Sequence, residues 1–386
     1  MGTKGVVAIL VSMAILLTVV SVAKADRVDD LIQLLIDKGT ISKDEGTALK
    51  KKLGPEAPAQ QQQASAQQEE WTKKIEVGYN KGAYIKTPDG RFSLRTNVGL
   101  QGQFNYQWLE GQEDKTTFQV KRARLWFTGN AFESWLKYYT QITLEQSVNL
   151  RDAYMEADYY KAAVPRVGQY KVPFDREFLT SAFNLQLIDR SIANNQFNLG
   201  RDIGVQVAGF PLGDLFEYRV GMFNGSGANQ DNVNTEYMYV GRAVLTPFGP
   251  YAYSQAALDD PKKPLLAIGV AGAYMPGLDP GERRILAGVL GSTSVVPVKS
   301  DVSELVGDMA FKLHGFSFEG GYYYRIIDPK APTRFGSTNA WGYYAQAGYF
   351  LIPKKFEVAA RYSYMNPDTP TQRANNNQYE VTGGVS

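Results

Sequence analysis

From Arg91 to Trp108 the chain alternates between apolar and polar residues with a period of two. Phe92, Leu94, Val98, Leu100, Phe104, Tyr106 and Trp108 share one face; Arg91, Ser93, Arg95, Asn97, Gln101, Gln103, Asn105 and Gln107 share the other. Successive side chains of a strand point to opposite faces, so the pattern predicts a β-strand. Its eighteen residues far exceed the usual strand of a soluble sheet. The pattern recurs. Leu136, Tyr138, Ile142 and Leu144 oppose Lys137, Tyr139, Gln141 and Glu145; Phe316, Phe318, Tyr322 and Tyr324 oppose Ser317, Glu319, Tyr323 and Arg325; Phe356, Val358, Ala360, Tyr362 and Tyr364 oppose Glu357, Ala359, Arg361 and Ser363.

Fourteen such segments are predicted, at about 91–108, 118–129, 134–146, 151–160, 164–171, 201–209, 215–223, 237–246, 264–275, 302–313, 316–326, 341–350, 354–365 and 378–386. Those at 118–129 and 264–275 match less well. A soluble sandwich would bury the apolar faces and struggle to place large aromatics opposite charges on nearly every strand. A closed ring in lipid needs this arrangement: an apolar exterior, a polar lumen and every backbone group paired. The expected fold class is therefore all-β, a transmembrane antiparallel β-barrel preceded by a short helical segment.

Connection lengths give a separate test. Those near 130–133, 161–163, 210–214, 314–315 and 351–353 are short, while 172–200, 224–236, 276–301, 327–340 and 366–377 are long and rich in Gly, Asn, Asp and Pro. Short turns inside and long loops outside characterise outer-membrane barrels. Two connections depart from the rule: 247–263 is long on the inner side and 147–150 is short on the outer side. The last segment stops at Ser386 in mid-alternation. Either two closing strands lie beyond it, making sixteen with about fourteen present here, or the ring closes in an unusual way.

Upstream of the barrel, Lys4, an apolar run from Val6 to Val22 and Ala23-Lys24-Ala25 read as a cleaved signal peptide, residues 1–25, rather than a retained helix. Residues 26–54 read as a periplasmic helical or coiled-coil segment with Val28, Leu31, Ile32, Leu35 and Ile36 at helical spacing and a capping box at Ser42 and Glu45. Residues 55–70 form a Gln/Ala/Pro-rich linker, and 71–386 the barrel.

Composition narrows the chemistry. Lys and Arg number 41 against 39 Asp and Glu, a formal charge of +2, which excludes a nucleic-acid binder working through net charge. With no Cys and one His, thiol chemistry and a Cys/His zinc site are excluded, and no metal or cofactor is expected. There is no P-loop, H-E-x-x-H or G-x-S-x-G motif, and His314 falls in a turn with Gly315, so no catalytic residue is assigned and an enzyme is not expected.

The charges that matter are local. Strand parity and the third outer connection give the pore-lining, anion-binding candidates Arg91, Arg95, Arg122, Arg124, Lys137, Arg190, Arg201 and Arg219. Guanidinium groups suit oxyanions such as phosphate through bidentate hydrogen bonds. The alternative is that these cations pair with Asp152, Glu156 or Asp158 and only stiffen the wall. The connection 172–200 carries Asp175, Arg176, Glu177, Asp189 and Arg190 among Phe174, Phe178, Leu179, Phe183, Leu185 and Leu187. So apolar a loop is expected to fold back into the lumen rather than rest on the rim.

Five motifs in fixed order point to a family: Lys121-Arg122-Ala123-Arg124, Val167-Gly168-Gln169-Tyr170-Lys171-Val172-Pro173-Phe174, Asp189-Arg190-Ser191, Gly200-Arg201-Asp202-Ile203-Gly204 and Phe223-Asn224-Gly225. Over about residues 76–386 the chain resembles the phosphate-selective porin O and P family of Gram-negative outer membranes. The resemblance implies a sixteen-strand barrel, a homotrimer, inward-folded loops and basic residues guiding anions. It matches Arg122 and Arg124 to a basic strand motif, and Arg190 and Arg201 to arginines flanking the constriction loop. The expected function is an outer-membrane porin for passive diffusion of small anions, phosphate first among them, with outer-membrane lipid and no nucleic acid as partners. The alternatives are a porin without phosphate preference, or a structural or adhesive barrel.

Overall fold

The structure, a computed structural model, describes residues 75–279, 298–332, 336–367 and 377–386, with residues 33, 36–38, 42–45, 47 and 48 upstream. The expected signal peptide and linker lie outside the described residues, as does much of 26–54. The chain divides into two compact units, Met1–Lys74 and Ile75–Ser386. In the first, Ser42 and Glu45 form the capping box: Ser42 N donates to Glu45 Oε2 at 2.8 Å and Glu45 N to Ser42 Oγ at 3.2 Å.

Among its described residues the second unit has seventeen strands. They are β1 (Glu76–Tyr79), β2 (Ala83–Lys86), β3 (Ser93–Gln107), β4 (Lys115–Asn130), β5 (Leu136–Thr143), β6 (Asn149–Ala157), β7 (Val164–Lys171), β8 (Arg201–Gly209), β9 (Pro211–Asp214), β10 (Phe216–Phe223), β11 (Met238–Leu245), β12 (Leu265–Leu278), β13 (Ser300–Leu313), β14 (Phe316–Pro329), β15 (Thr338–Ile352), β16 (Phe356–Asn366) and β17 (Gln378–Val385). All but β9 join one sixteen-stranded sheet in chain order. Neighbours pair antiparallel from the β1–β2 hairpin through to β16–β17.

Fourteen of these strands, β3–β8 and β10–β17, coincide with the segments predicted from alternation. The other two strands of the sheet correct the expectation: the hairpin β1–β2 precedes the predicted set, while β9 falls inside the connection expected at 210–214. Each strand of the hairpin has four residues, too few for a period of two to stand out. The weak match at 118–129 also has a cause. The register shifts between Gln101 and Gly102, so Arg122 and Val120 face consecutive partners and Lys121 is the extra residue of a bulge.

The apolar row of β3 faces outward, with Val98 and Leu100 each more than 70% exposed (74% and 73%). On β14–β16, Phe316, Phe318, Tyr349 and Phe356 mark one end of the outer face and Tyr322, Tyr324, Trp341, Tyr343 and Tyr364 the other. Gly320, Ala345, Ala347, Ala360 and Tyr362 share that face at the levels between. So apolar and aromatic an outer face is what a wall standing in a bilayer presents.

Inside, the connection 172–200 runs across the sheet. Arg122 on β4 donates from Nη2 to Ile188 O, and Arg361 on β16 donates from Nη1 to Asp189 O, both at 2.8 Å. Strands near opposite ends of the sheet thus reach adjacent carbonyls of one loop, which requires the sheet to curl around it. The fold is that of a porin-type β-barrel. The lumen is not uniformly polar, however. Met238, Val240, Val302, Val306, Tyr323, Tyr344 and Met365 point inward and bury against Phe174, Phe197 and Leu199 of the loop as one apolar cluster. The loop carries its own core, and this part of the wall supplies the other half.

Candidate functional site

The loop owes its rigidity to two short helices and to charge. α1 (Arg176–Leu179) is capped by Asp175, whose Oδ1 accepts from Phe178 N at 2.7 Å; α2 (Ile192–Phe197) is capped by Ser191, whose Oγ accepts from Asn194 N at 3.0 Å. Four arginine–carboxylate pairs clamp it to β11–β16. Arg242 pairs with Asp308 at 2.7 Å and donates to Phe174 O, and Arg325 pairs with Glu304 at 2.7 Å and donates to Gln196 O. Arg176 lies 3.6 Å from Glu319, and Arg361 lies 3.6 Å from Glu177. Glu177 also accepts from Ser191 N and Ser191 Oγ at 2.8 and 2.7 Å. Burial pushes the Glu177 carboxyl up to about 7 and that of Asp175 up to about 6.

On the other side of the loop, facing β4–β10, lies a cavity of about 280 Å³. Seven cations line it: Arg124, Arg151, Arg166, Lys171, Arg190, Arg201 and Arg219. Arg201 is chelated by Asp152, with Nε–O distances of 3.1 Å and Nη2–O of 3.0 Å, and Arg166 by Glu156 at 2.5–3.0 Å. Arg219 pairs with Glu217, and Arg124 lies 3.7 Å from Glu145. Seven cations less four carboxylates leaves three positive charges in excess.

Two of the three excess cations are held by backbone. Lys171 Nζ donates to Leu179 O and Thr180 O at 3.0 Å, and Arg190 to Glu177 O at 3.0 Å and Thr180 O at 2.8 Å. Arg124 Nε, Arg151 Nε and the Tyr170 hydroxyl are buried beside the cavity and find no hydrogen-bond partner in the protein. Unpaired donors and like charges crowded together are costly in a low dielectric, and an anion between them would relieve both. Tyrosines hold Arg166 in place. Arg166 lies over the Tyr154 and Tyr170 rings at 4.1 and 5.2 Å, and Tyr139 stacks on Tyr154 at 5.3 Å.

Of the residues expected from sequence, the fold brings Arg124, Arg190, Arg201 and Arg219 to this cavity. Arg122 is drawn behind the loop, donating to Gln101 and Ile188 O and lying 3.8 Å from Asp189. Arg95 and Lys137 line a second cavity of about 530 Å³ with Lys86, nearer the inner turns. Arg91 stays at an exposed turn, donating to Phe132 O and lying 3.3 Å from Glu133. Three lining cations escaped the sequence reading. Arg151 sits where the β5–β6 register shifts, and Lys171 ends β7 on the parity opposite to Arg166, three residues after Gly168 with its φ of 131°. Arg166 was legible from the alternation of Pro165 and Val167. His314 sits in the β13–β14 turn, with φ of 46° there and 75° at Gly315, the geometry of a tight hairpin.

A family model described as "Phosphate-selective porin O and P" matches residues 94–386. An uncharacterized protein of Aquifex aeolicus is 22% identical over 92% of this chain and 84% of its own length. Among solved structures, an anion-selective porin from Comamonas acidovorans aligns with a TM-score of 0.50 at 12% identity, covering 76% of this chain and 83% of that one. The outer-membrane protein OmpT of Vibrio cholerae aligns with a TM-score of 0.48 at 12% identity, covering 80% and 84%.

Proposed function

The chain belongs to the phosphate-selective porin O and P family, and from that premise we propose that this outer-membrane porin conducts small anions by passive diffusion, with phosphate the leading candidate. The observation that carries the reading is the cavity between the loop and β4–β10, where seven cations meet four carboxylates. Such a site lowers the barrier for an anion to enter. It stays weak enough to release because four cations are already partly neutralised. Fixed donors spaced around a small volume favour a tetrahedral oxyanion over chloride, since each oxygen accepts its own hydrogen bonds. Residues 1–25 would direct export, and the chain would act as a homotrimer, as family membership suggests.

Planar-bilayer recordings test this directly. Under a KCl gradient the reversal potential should lie on the chloride side, and millimolar phosphate should block chloride current. A reversal potential on the potassium side would sink the anion reading. Anion preference without phosphate block would leave a general anion porin, the reading favoured by the acid partners of Arg166, Arg201 and Arg219.

A further inference from the structure

The inner connection between β11 and β12, residues 246–264, breaks the short-turn rule because it re-enters the barrel. Within it Gln255 is 3% exposed, and every polar group of its side chain is engaged. Its Oε1 accepts from Gln186 N at 2.9 Å and from Gln346 Nε2 at 3.1 Å, its Nε2 donates to Glu319 Oε1 at 2.8 Å, and its backbone N donates to Asn184 O at 3.2 Å. Gln186 belongs to the constriction loop, and its own amide donates to Ser317 Oγ and Glu357 Oε1 on the wall. One neutral amide therefore ties together a loop entering from one end, a connection entering from the other, and strands β14 and β15.

The charge and space around it allow little else. Glu319 and Glu357 both face this cluster, so a carboxylate in place of the amide would add a third negative charge and lose the donor to Glu319. Gly348 on β15 leaves room for Gln186: a Cβ there would stand 1.8 Å from Gln186 Nε2. The residues before Gln255 extend the effect to the cavity. Tyr251 and Tyr253 hold the Arg176 guanidinium between 4.5 and 4.8 Å from their rings, and Tyr253 lines the cationic cavity 5.4 Å from Arg219. Lys312 Nζ donates to Ser254 Oγ at 2.7 Å, anchoring the same stretch to β13.

We propose that Gln255 is a positioning residue of the channel: it latches the constriction loop through Gln186 and so fixes the width of the conducting path. The inference needs only that the protein conducts, and is independent of which ion it prefers. The test uses the full-length protein in planar bilayers, with assembly checked by heat-modifiable gel mobility. Gln255→Ala should raise mean single-channel conductance about two-fold or more and add fast current fluctuations. Gly348→Ala, which displaces Gln186 from the wall side without touching the inner connection, should do the same. Wild-type conductance and noise in an assembled Gln255→Ala protein would overturn the proposal. Should that variant fail to assemble, steady wild-type current from Gly348→Ala would overturn it, and a raised, noisy current would sustain it. A cation-selective channel whose conductance still rises in Gln255→Ala would sink the anion reading and leave the latch standing.

Discussion

The two walls of the lumen use the same kinds of residue to opposite ends. On β11–β16, Arg242, Arg325 and Arg361 each meet a carboxylate in a dry setting, and each also donates to a backbone carbonyl of the loop. That wall is charge-balanced and filled. On β4–β10 the cations outnumber their partners, the loop stands off, and a cavity remains. Arginine therefore clamps the loop on one side and outnumbers its carboxylate partners on the other. What separates the two roles is the number of carboxylates within reach.

The contrast can be broken most severely by charge. Arg151→Glu together with Lys171→Glu turns the surplus of three positive charges into a deficit. It should reverse ion preference and abolish phosphate block, seen as a change in sign of the reversal potential under a KCl gradient. Next in size is the balanced wall. Arg325→Ala removes the buried cation that pairs with Glu304 at 2.7 Å and should cost about 3–5 kcal/mol of stability, measured as a lower midpoint for heat- or denaturant-induced unfolding. Selectivity should change little, since Arg325 does not line the cavity.

A subtler probe is pH. The Glu177 carboxyl is raised to about 7 by burial, above its unfolded value, so the folded protein binds more protons than the unfolded chain between those two values. Stability should therefore fall as pH rises from about 4.5 to 7 and level off above. Glu177→Gln should flatten that slope in denaturant titrations at several pH values. Smallest of all, Lys86→Ala removes an exposed pair with Glu76 on the β1–β2 hairpin and should lower the unfolding midpoint only marginally, an effect that added salt should erase.

The strands from β3 onward, the four-residue β9 apart, were readable because each is long enough for alternation to repeat, as in Val98 and Leu100 outward against Asn97 and Gln101 inward. The β1–β2 hairpin was not, at four residues a strand. Arg124, Arg190, Arg201 and Arg219 were legible as pore candidates, yet nothing local separates them from Arg242 or Arg325, which share the same parity and face the same lumen. Arg151 sits beside a register shift, and Lys171 ends β7 on the parity opposite to Arg166.

By itself, the sequence determined which side chains face lipid and which face inward, because a strand's period of two is a property of the local backbone. It also marked 172–200 as an apolar loop suited to fold inward and 247–263 as too long for an inner turn. Only the tertiary structure decided that the inner connection turns into the lumen as well and that the two meet at Gln255. It decided too which cations are neutralised, because pairing depends on distances between strands far apart in the chain. Local pattern sets the direction of a side chain; only closure of the fold sets its neighbours.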